Sequence, residues 1–231
     1  MAHDENANRI VHDSIKEMIW KAIKIHAPEF TLAAANREGS ISLGDYPPKR
    51  AVLLGLFRGL HCPFCRRQVF QLGALQPALA ALGVETIAVM NTPADNARLY
   101  FRYHPTQVIL LADPEARTHR AFAVPSFDLG DATVAAAIAA ARINPTGELP
   151  APMNPLEANT VLNAKDGFEL TEADQAIVQV NPAQLSGHFL IDRDGIVRWT
   201  SIEAPGGLNE LSRFPTPAEL VAAARSLGAA R

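Results

Sequence analysis

Both cysteines of this 231-residue chain fall in one short stretch, LFRGLHCPFCRRQ (56–68), as Cys62 and Cys65. Thiols at that spacing can cycle between dithiol and disulfide, help hold a metal, or sit inert in a core. A structural zinc site needs four ligands. His61 beside the two cysteines makes three, and there is no second cysteine pair to complete the set. The remaining histidines (His3, His12, His26, His104, His119 and His188) show no paired spacing. Redox chemistry is the reading these residues favour.

The flanking pattern states how the thiols are presented. AVLLGLF (51–57) is a continuous apolar run short enough for a buried strand, and RGLH follows as a loop. Pro63 suits the first position of a helix running to residue 82, with Gly83 at its carboxyl end. Cys62 is then the N-cap, and its sulfur can accept the free N–H groups of Phe64 and Cys65 at the positive end of the helix dipole. Such a place lowers a thiol pKa. Arg58, Arg66 and Arg67 add positive charge that acts in the same direction. Cys65, three residues on, is a helix neighbour within disulfide reach. Cys62 is therefore expected to attack and Cys65 to resolve. His61, adjacent to the nucleophile, has an ordinary pKa near neutrality and is a candidate proton carrier. Its alternative is a solvent-facing loop residue, and that of Arg58 is a loop anchor.

The rest of the chain supplies the scaffold. Residues 8–26 have helical apolar spacing, ended by Pro28. APEFTLAAANREGSISLGDY (27–46) alternates like a hairpin with its turn at Asn36–Gly39. VETIAVM (84–90) and QVILLAD (107–113) read as further buried strands, with helices at 94–103 and 114–122. Alternation of strand and helix implies parallel pairing with helices on both faces. After Pro125 the rhythm breaks. An alanine-rich helix (131–142, capped by Asp131) leads into INPTGELPAPMNPLE, with four prolines in fifteen residues. A helix at 171–180 carries a Thr171/Asp174 capping box. GHFLIDRDGIVRWTSIE (187–203) is a hairpin turning at Asp194–Gly195, and 217–227 is the closing helix. The expected organisation is one domain over 1–231, with an N-terminal helical extension (1–26) and an insertion (125–186). The insertion reads as a cover for sheet or helix surface in preference to a lid over the cysteines.

Composition narrows the function classes. With 48% hydrophobic and 19% charged residues the chain can bury a sizeable core, and a net charge of −3 gives no footprint for nucleic acid. The amino terminus lacks a signal-peptide core, and no run of about 18 apolar residues suggests a membrane span. A cytoplasmic protein is expected, in which a cysteine pair serves chemistry more often than stapling.

Four stretches resemble the thioredoxin superfamily, and within it the peroxiredoxin-like group of alkyl hydroperoxide reductase and thiol-specific antioxidant proteins. They are APEFTL…SISLGDY, VLLGLFRGLHCPFCRRQ, GVETIAVM…VILLADPEARTHRAFAV and GHFLIDRDGIVRW, together covering about residues 27–125 and 187–228. The resemblance implies an α/β thioredoxin-like fold, a central mixed sheet flanked by helices with the site at the first strand–helix junction. It also implies Cys62 as the peroxidatic thiol and Cys65 as its resolving partner. Departures accompany it. Gly59 and Gly55 stand where the family has a threonine and a proline, and Ser186 stands where it has a peroxide-polarising arginine.

Two enzymatic functions follow. One is a peroxidase cycling between Cys62–Cys65 dithiol and disulfide. The other is a thioredoxin- or glutaredoxin-like disulfide oxidoreductase. A non-catalytic redox sensor is the third reading. The expected partners are a peroxide or disulfide substrate and an external thiol reductant of thioredoxin or glutathione type. No cofactor, nucleic acid or membrane is implied, and a homodimer through the small alanine face is compatible with the pattern.

Overall fold

Seven consecutive buried residues make the central strand, and the rest of the sheet is built outward from it. The computed structural model describes residues 25–46, 49–181 and 183–229. The hairpin strands are β1 (Thr31–Ala34) and β2 (Ser40–Ser42), followed by the central β3 (Ala51–Phe57). β4 is Val84–Met90, β5 is Ile109–Ala112, and the closing hairpin is β6 (Gly187–Ile191) with β7 (Val197–Ile202). They form one sheet in the order β2-β1-β5-β4-β3-β6-β7. β3 pairs parallel with β4 from Ala51↔Val84 to Phe57↔Met90, and antiparallel with β6, where Gly55 faces His188. β4 and β5 are also parallel, while β1 is antiparallel to β2 and β5, and β7 to β6. The alternating elements supply the parallel centre and the two hairpins make the sheet mixed.

The helices are α1 (Pro63–Ala81), α2 (Ala94–Tyr103), α3 (Arg117–Ala121), α4 (Ala132–Ala140), α5 (Pro155–Lys165), α6 (Glu172–Val180) and α7 (Pro217–Ala229). α1 opens as its sequence dictates, with Pro63 in the first turn, and ends before Gly83, whose φ of +75° only glycine adopts freely. Asn36 ties the first hairpin to the sheet by bonding both Val108 O and Leu110 N.

Two expectations need amendment. Residues 8–24 of the expected first helix lie outside the described residues. Its last two residues are extended: Ile25 O accepts Val197 N at 2.9 Å and His26 bridges Ile196. Within the insertion, α5 occupies a stretch that overlaps the proline-rich connection. Asn154 caps it by accepting Leu156 N, and Pro155 begins it. No described helix is long and apolar enough to cross a membrane.

Candidate active site

β3 delivers the chain to the site and α1 carries it away, so the loop between them presents the chemistry. Cys62 caps α1 with extended backbone (φ −90°, ψ 106°), and its Sγ accepts the Cys65 N–H at 3.2 Å. The turn is held by Cys62 N on Gly59 O and by Leu60 N on Thr92 Oγ1. Gly59 has φ +139°, and a Cβ there would lie 2.7 Å from Asn91 O. Both features demand glycine.

Both thiols are free and buried, with Cys62 2% exposed and Cys65 0%. Cys65 Sγ lies 3.8 Å from Ser186 Oγ on the segment entering β6. Burial and a hydrogen bond with Cys65 push the Cys62 thiol well above its usual range, against the pull of Arg58. Burial also opposes ionisation of Cys65, but the hydrogen bond from Cys62 and the charge of Arg58 prevail and bring it to about 6. The pair thus gives up one proton readily and holds the other, behaving as a single titrating unit. The expectation from the cap alone was that Cys62 would be the lowered thiol. Burial opposes ionisation of both sulfurs, and the hydrogen bond between them, which raises Cys62 and lowers Cys65, accounts for the difference.

Arg58 is the cation that acts on both sulfurs. Its Nη2 donates to Glu203 Oε1 and to Ser212 Oγ, each at 2.9 Å, and its Nε has no partner among the described residues. Glu203, just past β7, also accepts Ser212 N at 2.6 Å and Ser186 N at 2.9 Å. His61 lies beside Arg58. Burial, then the nearby Arg58 charge, lowers its pKa to about 4, so the ring is neutral at pH 7. His61 Nδ1 has no partner among the described residues. His188 is a packed sheet residue, its ring against Phe57 and Phe214.

Arg66 and Arg67 face away from the thiols, toward the insertion. Buried Arg66 reaches Leu60 O, Asn163 Oδ1 and Asp166 Oδ2, with its guanidinium 4.1 Å from the centre of the Phe168 ring. Arg67 forks onto Asp166 and Glu148. Asn163 Nδ2 donates to His61 O. Helix α5 is therefore fastened to the first turn of α1 and to the residue before Cys62. Glu203, Asn163 and Asp166 have no role in the sequence reading, and Ser186 enters it only as the residue at the place of the family's arginine. Asn154–Pro155 was the signal that marked α5, but no local pattern points to Glu203, 145 residues from Arg58.

Among the described residues no three His, Cys, Asp or Glu side chains are grouped to hold a metal. A cleft of about 600 Å³ opens beside Ser212, lined by Gln68, Gln71, Arg142, Phe214 and Pro215 among others, and neither cysteine lines it.

Comparison with known proteins gives the setting for this arrangement. Solved structures of similar fold include the reduced 2-Cys peroxiredoxin of Plasmodium vivax. It is 14% identical, with a TM-score of 0.57 over 90% of this chain and 97% of that one. The peroxidoxin BcpB of Mycobacterium tuberculosis is also 14% identical, with a TM-score of 0.55 over the same shares. At such identities the likeness is one of fold. No curated protein matches the sequence. The model of the AhpC/TSA family matches residues 23–200, which include the central strand, the cysteine loop and most of the closing hairpin. The chain belongs to the AhpC/TSA family of thiol-based redox proteins.

Proposed function

We propose that the protein is a thiol peroxidase that cycles through a Cys62–Cys65 disulfide. The observation that carries this reading is the coupled dithiol at the start of α1, with Cys65 N on Cys62 Sγ and one proton lowered to about 6. The charge left by that proton is shared across the pair, and Cys62, the less enclosed sulfur, is the attacking atom. Its thiolate attacks the terminal oxygen of a peroxide and breaks the O–O bond, so that the sulfur becomes a sulfenic acid while the departing hydroxide or alkoxide takes a proton. Arg58 stands beside both sulfurs and its free Nε is the donor available to that oxygen. Neutral His61 relays a proton. Cys65 then condenses with the sulfenic acid, releasing water, and an external dithiol or two monothiols reduce the disulfide.

Exchange with a protein or small-molecule disulfide is the alternative, favoured by one observation. The residue three before Cys62 is Gly59, which has no side chain to bind a peroxide.

The test mixes reduced protein with hydrogen peroxide and follows intact mass. Loss of two mass units far faster than from a free dithiol supports the peroxidase, and a rate equal to the free dithiol excludes hydrogen peroxide as substrate. The Cys65→Ser variant should accumulate a sulfenic acid with peroxide. Under the alternative it traps mixed disulfides instead.

A further inference from the structure

We infer that Glu203 is the positioning residue of this dithiol: it holds Arg58 beside the sulfurs, offsets part of its charge, and so sets the pH at which the thiols ionise. The inference rests on the reading of Cys62 and Cys65 as the reactive pair. The Glu203 side chain is fully enclosed. Its three neighbours at hydrogen-bond distance are all donors: Arg58 Nη2 and Ser212 N on Oε1, and Ser186 N on Oε2. Both carboxylate oxygens therefore act as acceptors, and it is this arrangement that fixes Arg58 in place. The backbone is bent to serve it, since Ala204 (φ 57°) and Ser212 (φ 61°) both lie in the left-handed region without being glycine.

Two routes join Glu203 to the sulfurs. One runs through Arg58, the other through Ser186, whose N–H it accepts and whose hydroxyl faces Cys65. The charged and titratable groups around the pair are Arg58 and His61 on the loop, Arg66 on α1, His188 on β6, Asp174 on α6 and Glu203 after β7. Of these, Arg58 and Glu203 act on the thiols with opposite sign. A fixed anion behind the guanidinium keeps the thiolate from being fully stabilised. Since thiolate stabilisation favours the dithiol over the disulfide, Glu203 also makes the disulfide a weaker oxidant.

Glu203→Gln is the discriminating variant, because Oε1 can still accept Arg58 and Ser212 while the charge is gone, although its amide nitrogen then replaces the acceptor of Ser186 N. Thiolate absorbance at 240 nm is titrated in the reduced protein, with Cys62→Ser/Cys65→Ser as the blank. The expected result is a titration moved to lower pH, with the thiolate fraction at pH 5 at least threefold higher. In exchange with glutathione disulfide at pH 7, where dithiol plus oxidised glutathione yields disulfide plus two glutathione thiols, equilibrium should shift at least threefold toward the dithiol. An unmoved or raised titration in folded Glu203→Gln overturns the inference. If that variant does not fold, Arg58→Met/Glu203→Gln, which has neither buried charge, decides. Glu203 offsets only part of the effect of Arg58, so this titration must lie above wild type and below that of Arg58→Met alone, and one at or below wild type, or level with the single variant, overturns the inference. Failure of the redox reading looks different: the titration still moves with Glu203 while the pair fails to cycle.

Discussion

Arg58 and Glu203 form an ion pair across the base of the cysteine loop, with Nη2 and Oε1 2.9 Å apart and the glutamate side chain wholly enclosed. Losing one partner leaves the other charge buried and alone. Arg58→Met should therefore lower stability by about 3 kcal/mol, whereas Arg58→Met/Glu203→Gln, in which the amide oxygen still accepts Ser212 N, should recover part of it. Denaturant unfolding of the two variants measures this. Arg58→Met should also lift the first thiol ionisation above its wild-type value near 6, because the cation that favours the thiolate is gone. Alkylation by iodoacetamide at pH 7 then slows at least tenfold.

Asp166 bridges Arg66 and Arg67 and thereby fastens α5 to the first turn of α1. Its own pKa is lowered, burial being outweighed by the two arginines. Asp166→Asn should reduce stability by about 2 kcal/mol, the scale of hydrogen bonds to charged groups. It should also speed alkylation of the thiols several-fold, with little change in the pH at which they ionise. A faster rate with a shifted titration would instead mean that the substitution disturbs Arg58.

Gly59→Ala tests the loop itself. The residue would have to hold φ +139° with its Cβ 2.7 Å from a backbone oxygen that cannot move aside cheaply. A loss of about 3 kcal/mol is expected, together with a fall in peroxide or disulfide turnover well beyond that of a Gly147→Ala control. Gly147 also has positive φ, but a Cβ there meets nothing within 4 Å. Thermal unfolding and turnover of both variants provide the comparison.

Two deeply buried histidines make stability depend on acid. Burial lowers His119 to about 4 and His188 to about 3, from an ordinary 6.5. The unfolded chain therefore binds more protons than the fold between those values and 6.5, so stability is complete above 6.5 and falls as pH drops through that window. Each ring contributes roughly 3 kcal/mol or more to the loss once its folded pKa is reached. Between pH 6.5 and about 5 the side chains that take up protons on unfolding are the histidines, so the decline there belongs to them. In a Cys62→Ser/Cys65→Ser background, where no thiol titrates, His188→Phe should make it clearly shallower, the remainder belonging to His119 and His61, both lowered to about 4. An unchanged slope would assign the acid sensitivity elsewhere.

Much of the fold is legible in local pattern. A continuous apolar run, Pro63 behind Cys62 and Gly83 at the far end state a buried strand, a loop and a helix, and these elements stand where that pattern puts them. Asp194–Gly195 likewise marks the closing hairpin. What escapes is whatever depends on distance or depth. Glu203 meets Arg58 only through the pairing of β3 with β6 and β6 with β7. Arg66 and Arg67, adjacent to the thiols in sequence, point to Asp166 because side chains leave a helix at about 100° intervals. The depth of Cys62 comes from the elements packed over it, so the N-cap pattern alone suggests a thiol more easily ionised than burial permits. α5 lay hidden because its neighbouring prolines dominate the stretch, although Asn154–Pro155 is itself a helix start.

The side chains that fasten the first turn of α1 come from the inserted segment, while those that charge the thiols come from the loop and the end of β7. Placing the helix start and charging the thiols thus draw on separate parts of the chain. Substitutions in 155–166 bear on how α1 opens, and those at Arg58 and Glu203 bear on when its cap ionises.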